Sequence, residues 1–162
     1  MKAAASPLAA PKVTPFLMFN DQLEAAIELY CAVFPDSNVV SMSRAGKNGP
    51  LTSAEFVVGG QRLLGFNGGT HFHFSEGFSL FVTCEDQREV DEYWDRLVKA
   101  GGKPSQCGWM TDPFGLSWQI VPKRFMELMG DKDPKRVQAV VAAMMKMSKL
   151  EVKALERAFA EA

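Results

Sequence analysis

Two stretches of this chain run through the same order of elements, and that repetition constrains the fold more than any single residue does. Residues 13–19 are apolar and short enough for a buried strand. Asp21-Gln22-Leu23-Glu24 then has the spacing of a helix capping box, with Asp21 placed to receive first-turn amides and Glu24 to reach back. Leu23, Ile27, Tyr30 and Phe34 recur at helical spacing until Pro35 ends the helix. Strand-like runs follow around residues 39–44, 53–58 and 62–66, with turns at Lys47-Asn48-Gly49-Pro50 and Gly59-Gly60. About 65 residues on, the order returns. Residues 78–84 form an apolar strand, and Asp86-Gln87-Arg88-Glu89 is a second capping box. Val90, Trp94, Leu97 and Val98 make the helical stripe, and Gly101-Gly102 stop it. Strands are expected again around residues 103–107, 109–111 and 116–121.

The last of these strands has the clearest local signal. In Asp112-Pro113-Phe114-Gly115, Pro113 fixes φ at the second turn position and Gly115 gives the freedom needed where the chain reverses. Leu116, Trp118 and Ile120 then alternate with Ser117, Gln119 and Val121, which predicts one apolar and one mixed face. Pro122 ends the strand, and beyond it the pattern becomes helical. Asp133-Pro134 reads as an N-cap followed by a first-turn proline. Val137, Val140, Val141, Met144 and Met145 form a stripe, and Ser148-Lys149-Leu150-Glu151 is a third capping box. The methionines are expected to fill core or dimer contacts, since a flexible thioether suits irregular apolar gaps.

A chain of 162 residues, 47% hydrophobic and 23% charged, is large enough to bury a core. Its net charge of −1 gives no footprint for nucleic acid or a membrane surface. No apolar run approaches the ~18 residues of a membrane span. Residues 1–12, rich in alanine and proline, read as a flexible tail and not as a signal peptide. Cys31, Cys84 and Cys107 are odd in number and form no CxxC pair. That usage predicts free thiols in a reducing cytoplasm.

A duplicated β-α-β-β-β unit ending in Asp112-Pro113-Phe114-Gly115-Leu116-Ser117-Trp118-Gln119-Ile120-Val121-Pro122 resembles the vicinal oxygen chelate superfamily of glyoxalases, bleomycin-resistance proteins and dioxygenases. It is most similar to the PhnB-like, demethylubiquinone methyltransferase-like branch. The residues 14–19, Ala26-Ile27-Glu28-Leu29-Tyr30, residues 33–37, residues 78–82 and Ala143-Met144-Met145-Lys146-Met147 carry the rest of the likeness. The resemblance implies an α+β fold in which each module supplies a half-barrel, with a ligand cavity on the concave side and a homodimer as partner state. The expected organisation is a tail over 1–12, modules over 13–70 and 71–122, and a helical extension over 123–162.

Catalytic members of that superfamily hold a divalent metal with His, Glu or Gln converging from the modules. The corresponding positions here are Pro15 or Thr14, Gly65 or Asn67, Ser79, and Gln119. One amide does not hold a metal, so neither metal nor cofactor is expected. His71 and His73, at i and i+2, would share a face if they lay in a strand, and they define a rival metal-dependent enzyme lacking a recognisable third ligand. A methyl-donor site would need a glycine-rich loop after the first strand, and Asn20-Asp21-Gln22 has none. Gly59-Gly60 and Gly68-Gly69 read as hairpin turns instead. No Gly-x-Ser-x-Gly elbow marks a nucleophilic serine, and Cys107 is the cysteine expected nearest the cavity. Glu55 reads as a solvated carboxylate. The favoured function is binding of a small, partly apolar molecule, with Gln119, Ser79 and Asn67 as polar contacts and Phe19, Trp109 and Phe66 as walls. A third alternative is a dimeric drug-sequestering protein.

Overall fold

The computed structural model describes residues 11–162, so the expected tail lies almost wholly outside the described residues. The chain divides into two compact units, residues 1–72 and 73–162. Unit 1 contains β1 (Phe16–Phe19), α1 (Leu23–Val33), β2 (Asn38–Arg44), β3 (Leu51–Val58) and β4 (Gln61–Asn67). Unit 2 contains β5 (Ser79–Cys84), α2 (Gln87–Lys99), β6 (Lys103–Pro104), β7 (Trp109–Thr111) and β8 (Ser117–Pro122). The extension adds α3 (Lys123–Met129), α4 (Pro134–Met144) and α5 (Val152–Ala160). The predicted α+β class and the duplicated order of elements are both present.

The two sheets have equivalent topology. Strand order is β1-β4-β3-β2 in one and β5-β8-β7-β6 in the other. In each, the first strand runs parallel to the last and the remaining pairs are antiparallel. The β3–β4 hairpin turns on Gly59 and Gly60, whose φ values of 53° and 82° suit a turn that needs two left-handed residues. Gly68 and Gly69 form no hairpin. They follow β4, and their N–H groups bond to the carbonyls of Phe19 and Asn20.

Each sheet buries one face under its helix. In unit 1, Leu17, Phe19, Phe56 and Leu63 lie beneath Leu23, Ile27 and Tyr30, all 2% exposed or less. Gly65 is on this face because a side chain does not fit there. A Cβ at Gly65 would lie 2.4 Å from Leu23 Cδ1 and 3.1 Å from Phe56 Cε1. Both neighbours are fully buried, so neither has room to move. Gly65→Ala is therefore expected to lower unfolding free energy by about 2 kcal/mol, the usual cost of an overpacked core. Urea titration checks this, and a loss below about 0.5 kcal/mol would show that the helix can lift.

Helix starts depart from the sequence pattern in an instructive way. The second box forms with a shift: Asp86 Oδ1 accepts from Glu89 N at 3.0 Å, and Glu89 Oε2 reaches one residue past the N-cap to accept from Glu85 N at 2.8 Å. Asp133 caps α4, with Pro134 in the first turn, as predicted. The first box does not form. Gln22 is the N-cap residue and makes no side-chain cap bond, Glu24 pairs with Arg44, and Asn67 Oδ1 accepts from Leu23 N at 3.1 Å. The third box does not form either, since α5 starts one turn later, at Val152, where Gln87 Oε1 accepts from its N–H at 2.7 Å. Two helices thus begin on amides delivered from distant elements. Local spacing shows only that a residue could cap, whereas tertiary contact decides which one does.

Glu55 is not a solvated carboxylate. Its side chain is 19% exposed on β3 and pairs with Arg62 of the neighbouring strand. No helix among the described residues is long and apolar enough to cross a membrane.

Candidate functional site

The site is built on the face of the unit 2 sheet that α2 leaves uncovered. The β5–β8 register pairs Ser79 with Ser117 and Phe81 with Gln119, and the β7–β8 register pairs Trp109 with Gln119 and Thr111 with Ser117. Side chains at paired positions share a face, so Ser79, Phe81, Trp109, Thr111, Ser117 and Gln119 form one surface. The opposite face carries Met110, Trp118, Ile120 and Cys84, all buried against the α2 side.

An open cleft of about 540 Å³ lies against this surface. Trp109, Thr111 and Ser117 contribute to it from the sheet, Lys103 from β6, and Gln106 and Cys107 from the β6–β7 loop, with Glu76 also on its lining. Ser117 is 2% exposed and lines the cleft. Beside it, Gln119 Nε2 donates to Ser79 Oγ at 2.8 Å. That bond orients the Gln119 amide and leaves its carbonyl oxygen without a partner among the described residues. The surface therefore offers a buried hydroxyl, an oriented amide and a flat indole, which is the composition of a small-molecule cleft.

The turn that starts β8 is held by a buried carboxylate. Asp112, 4% exposed, accepts at Oδ1 from Phe114 N (2.9 Å) and Leu116 N (3.0 Å), and at Oδ2 from Trp118 Nε1 (2.9 Å). Gly115, at φ 90°, closes the reversal with its N–H on the Asp112 carbonyl at 3.0 Å. Asp112 is thereby a clamp for the strand that presents Ser117 and Gln119.

The sequence-derived site residues divide between the units. Gln119, Ser79 and Trp109 come together on the unit 2 face. Phe66, 39% exposed, is on the uncovered face of the unit 1 sheet with Met18, its register partner. Phe19 and Asn67 correct the expectation. Phe19 is 2% exposed in the core under α1, and Asn67 points the same way, bonding Leu23 N and the Leu51 carbonyl. Period two places residues 65 and 67 on the helix face and residues 64 and 66 on the other. Sequence reasoning missed Ser117 and Thr111. The available signal was their position two residues from Gln119 and Trp109 on alternating strands.

A metal of the superfamily's kind does not fit these residues. Ser79 and Gln119 are bonded to each other, and Pro15 and Gly65 have no ligating group. His71 and His73 belong to no strand, so the shared face expected of them is not formed; the His71 ring instead lies 5.4 Å from that of Phe72. No group of three or more His, Cys, Asp or Glu converges among the described residues. A methyl-donor cofactor fits no better at the β1–α1 connection, where the first free N–H of α1 is already taken by Asn67.

Thiol chemistry is graded by depth. Burial pushes the Cys84 thiol up to about 12, with the Glu89 and Asp86 carboxylates adding to the effect. Burial also raises Cys31. Because the unfolded thiol ionises near pH 9 and the folded one does not, Cys84 contributes stability below that pH and loses it as pH rises toward 12. At pH 8, iodoacetamide is expected to modify Cys107 in the native protein and Cys84 only after unfolding. Native labelling of Cys84 at a rate near that of Cys107 would contradict the buried assignment.

The 3-demethylubiquinone-9 3-methyltransferase family model matches residues 11–121. Among solved structures, a PhnB protein from Bacillus cereus is 31% identical, with a TM-score of 0.64 over 69% of this chain and 99% of its own. A Pseudomonas aeruginosa protein is 19% identical, with a TM-score of 0.58 over 70% of this chain and 98% of its own. The fosfomycin resistance protein FosX from Listeria monocytogenes is 12% identical, with a TM-score of 0.50 over 71% of this chain and 94% of its own. The last two likenesses concern the fold alone. No curated protein matches the chain. With the paired β-α-β-β-β units and the matched residues together, the chain belongs to the 3-demethylubiquinone-9 3-methyltransferase family, the PhnB-like branch of the vicinal oxygen chelate superfamily.

Proposed function

We propose that this protein binds a small, partly apolar molecule in the unit 2 cleft, as a homodimer. The observation that carries the reading is the cleft of about 540 Å³ itself, walled by the Trp109 indole and lined by the hydroxyls of Ser117 and Thr111. Hydroxyls on the lining can donate to and accept from a ligand oxygen or nitrogen, which gives an otherwise apolar ligand its orientation. The Gln119 carbonyl supplies an acceptor on the same face, its orientation fixed by Ser79. Lys103 and Glu76 bring opposite charges to the lining, so the ligand need not carry net charge. For the dimer, support comes from large apolar side chains left exposed, among them Phe16 at 55% and Val40 at 50%. Equilibrium sedimentation is expected to give twice the mass of one chain.

The test of the cleft uses anilinonaphthalene sulfonate as a probe, followed by a thermal-shift screen of neutral aromatic and quinone-like compounds. A compound at 100 times its dissociation constant adds about 2.7 kcal/mol of stability. Trp109→Ala and Ser117→Val are expected to weaken binding about tenfold each while leaving the melting temperature of the free protein within a few degrees. Binding that is indifferent to both substitutions would place the ligand elsewhere and overturn the reading.

A further inference from the structure

The helical extension lies beyond residues 11–121, the part shared with the family, yet it holds one wall of the cleft. The β6–β7 loop supplies Ser105, Gln106 and Cys107 to that wall. Its conformation is unusual. Cys107 has φ 59° and Gly108 has φ 82°, so two successive residues are left-handed, one of them not glycine. Such a residue is strained by about 1 kcal/mol and persists only where surrounding contacts impose it.

Those contacts come from the segment between α4 and α5. Cys107 N donates to the Met147 carbonyl at 2.8 Å, and Gly108 N to the Ser148 carbonyl at 2.8 Å. Ser148 Oγ donates to the Ser105 carbonyl. Cys107 Sγ lies 3.7 Å from Met145 Sδ. The loop is thus gripped from outside the matched residues by two successive carbonyls and one hydroxyl of the extension.

The grip is itself anchored. Gln87, at the start of α2, accepts from Val152 N at 2.7 Å and donates to the Leu150 carbonyl at 3.1 Å. Lys149 pairs with Asp91 at 2.8 Å and Asp95 at 3.5 Å. Leu150 is fully buried, and its side chain sits against Gly108 so closely that a Cβ there would lie 3.1 Å from Leu150 Cδ1. Residues 145–150 are therefore fastened to the unit 2 helix on one side and to the cleft wall on the other.

We propose that Ser148, with the Met147 and Ser148 carbonyls, is a positioning element that sets the shape of the Ser105–Gly108 wall and thereby selects the ligand. This rests on the cleft being the binding site. In this assignment the family domain supplies the sheet floor, and the extension supplies the part of the wall that distinguishes this chain from shorter relatives.

The experiment is peptide-resolved iodoacetamide labelling of the full chain and of Ser148→Ala and Ser148→Thr, alongside titration with anilinonaphthalene sulfonate. Ser148→Ala is expected to speed Cys107 labelling about fivefold, the population change produced by losing one hydrogen bond, with Cys84 unaffected. Ser148→Thr keeps the hydroxyl and is expected to label at close to the native rate. Probe affinity should fall in the alanine variant and return in the threonine variant. An unchanged Cys107 rate in Ser148→Ala would overturn the inference while leaving the cleft standing. So would an equal rise at Cys84, because that signals general loosening. Faster Cys107 labelling with unaltered probe affinity would keep the wall assignment and overturn the cleft as the probe site, and with it ligand selection.

Discussion

Asp112→Ala is expected to destabilise the protein by on the order of 4 kcal/mol and to lower its melting temperature by roughly 10 °C. The substitution deprives three donors of their acceptor: the N–H groups of Phe114 and Leu116 and the indole N–H of Trp118. Leu116 and Trp118 are 0% and 1% exposed, so water does not replace the carboxylate at either. Leaving a buried donor unmet costs more than the bond contributed when made. Asp112→Asn keeps one oxygen for the two backbone donors and turns an NH₂ group, itself a donor, toward the indole N–H. About half the loss is expected. Calorimetry of the three proteins checks the order. A shift of less than about 2 °C for the alanine variant would show that the turn holds without its clamp. The probe would also respond, because β8 carries Ser117 into the cleft.

Leu150→Ala is expected to cost about 3 kcal/mol, within the range for removing a fully buried leucine. Leu150 packs with Val121 of β8 and with Leu128, Val140 and Leu155 of the extension. Its side chain also touches the Gly108 position, and its carbonyl receives Gln87. Because one residue joins the sheet, α2 and the extension, the loss should appear as an earlier urea midpoint with an unchanged slope. A second, separate transition in the variant would mean that the extension folds as an annex. A loss below about 1 kcal/mol would mean that the site collapses around the missing atoms.

Much of the fold was legible because it follows from local rules. The turn residues Gly59-Gly60 and Asp112-Pro113-Phe114-Gly115 demand backbone states that few other residues accept, and both turns form where those residues fall. The period-two pattern of residues 116–121 separates Trp118 and Ile120 from Ser117 and Gln119 in the structure as it does in the sequence. The β6 strand was harder. Residues 103–107 look like a strand, but only Lys103–Pro104 pair, because the next residues are drawn to the extension.

The candidate site was legible in part for the same reason. Gln119, Ser79 and Trp109 share a face because strand alternation and a common register put them there. Asn67 and Phe19 were misplaced because the face of a short strand depends on which side its helix packs. The capping boxes show a similar limit. Asp86 and Glu89 cap their own helix, whereas Asp21 and Ser148 yield to Asn67 and Gln87 from far along the chain.

The sequence by itself determined the α+β class, the duplicated order of strands and helix, and the Asp112–Gly115 turn. These depend on backbone dihedrals, on period and on apolar spacing, all of which act over a few residues. Only the tertiary structure decided that Asp112 serves Trp118, that Gly65 makes room for Leu23, and that the extension grips the cleft wall at Cys107 and Gly108. Each of those joins groups brought together by packing, and hydrogen bonds and steric limits act only between atoms that packing has already placed within reach.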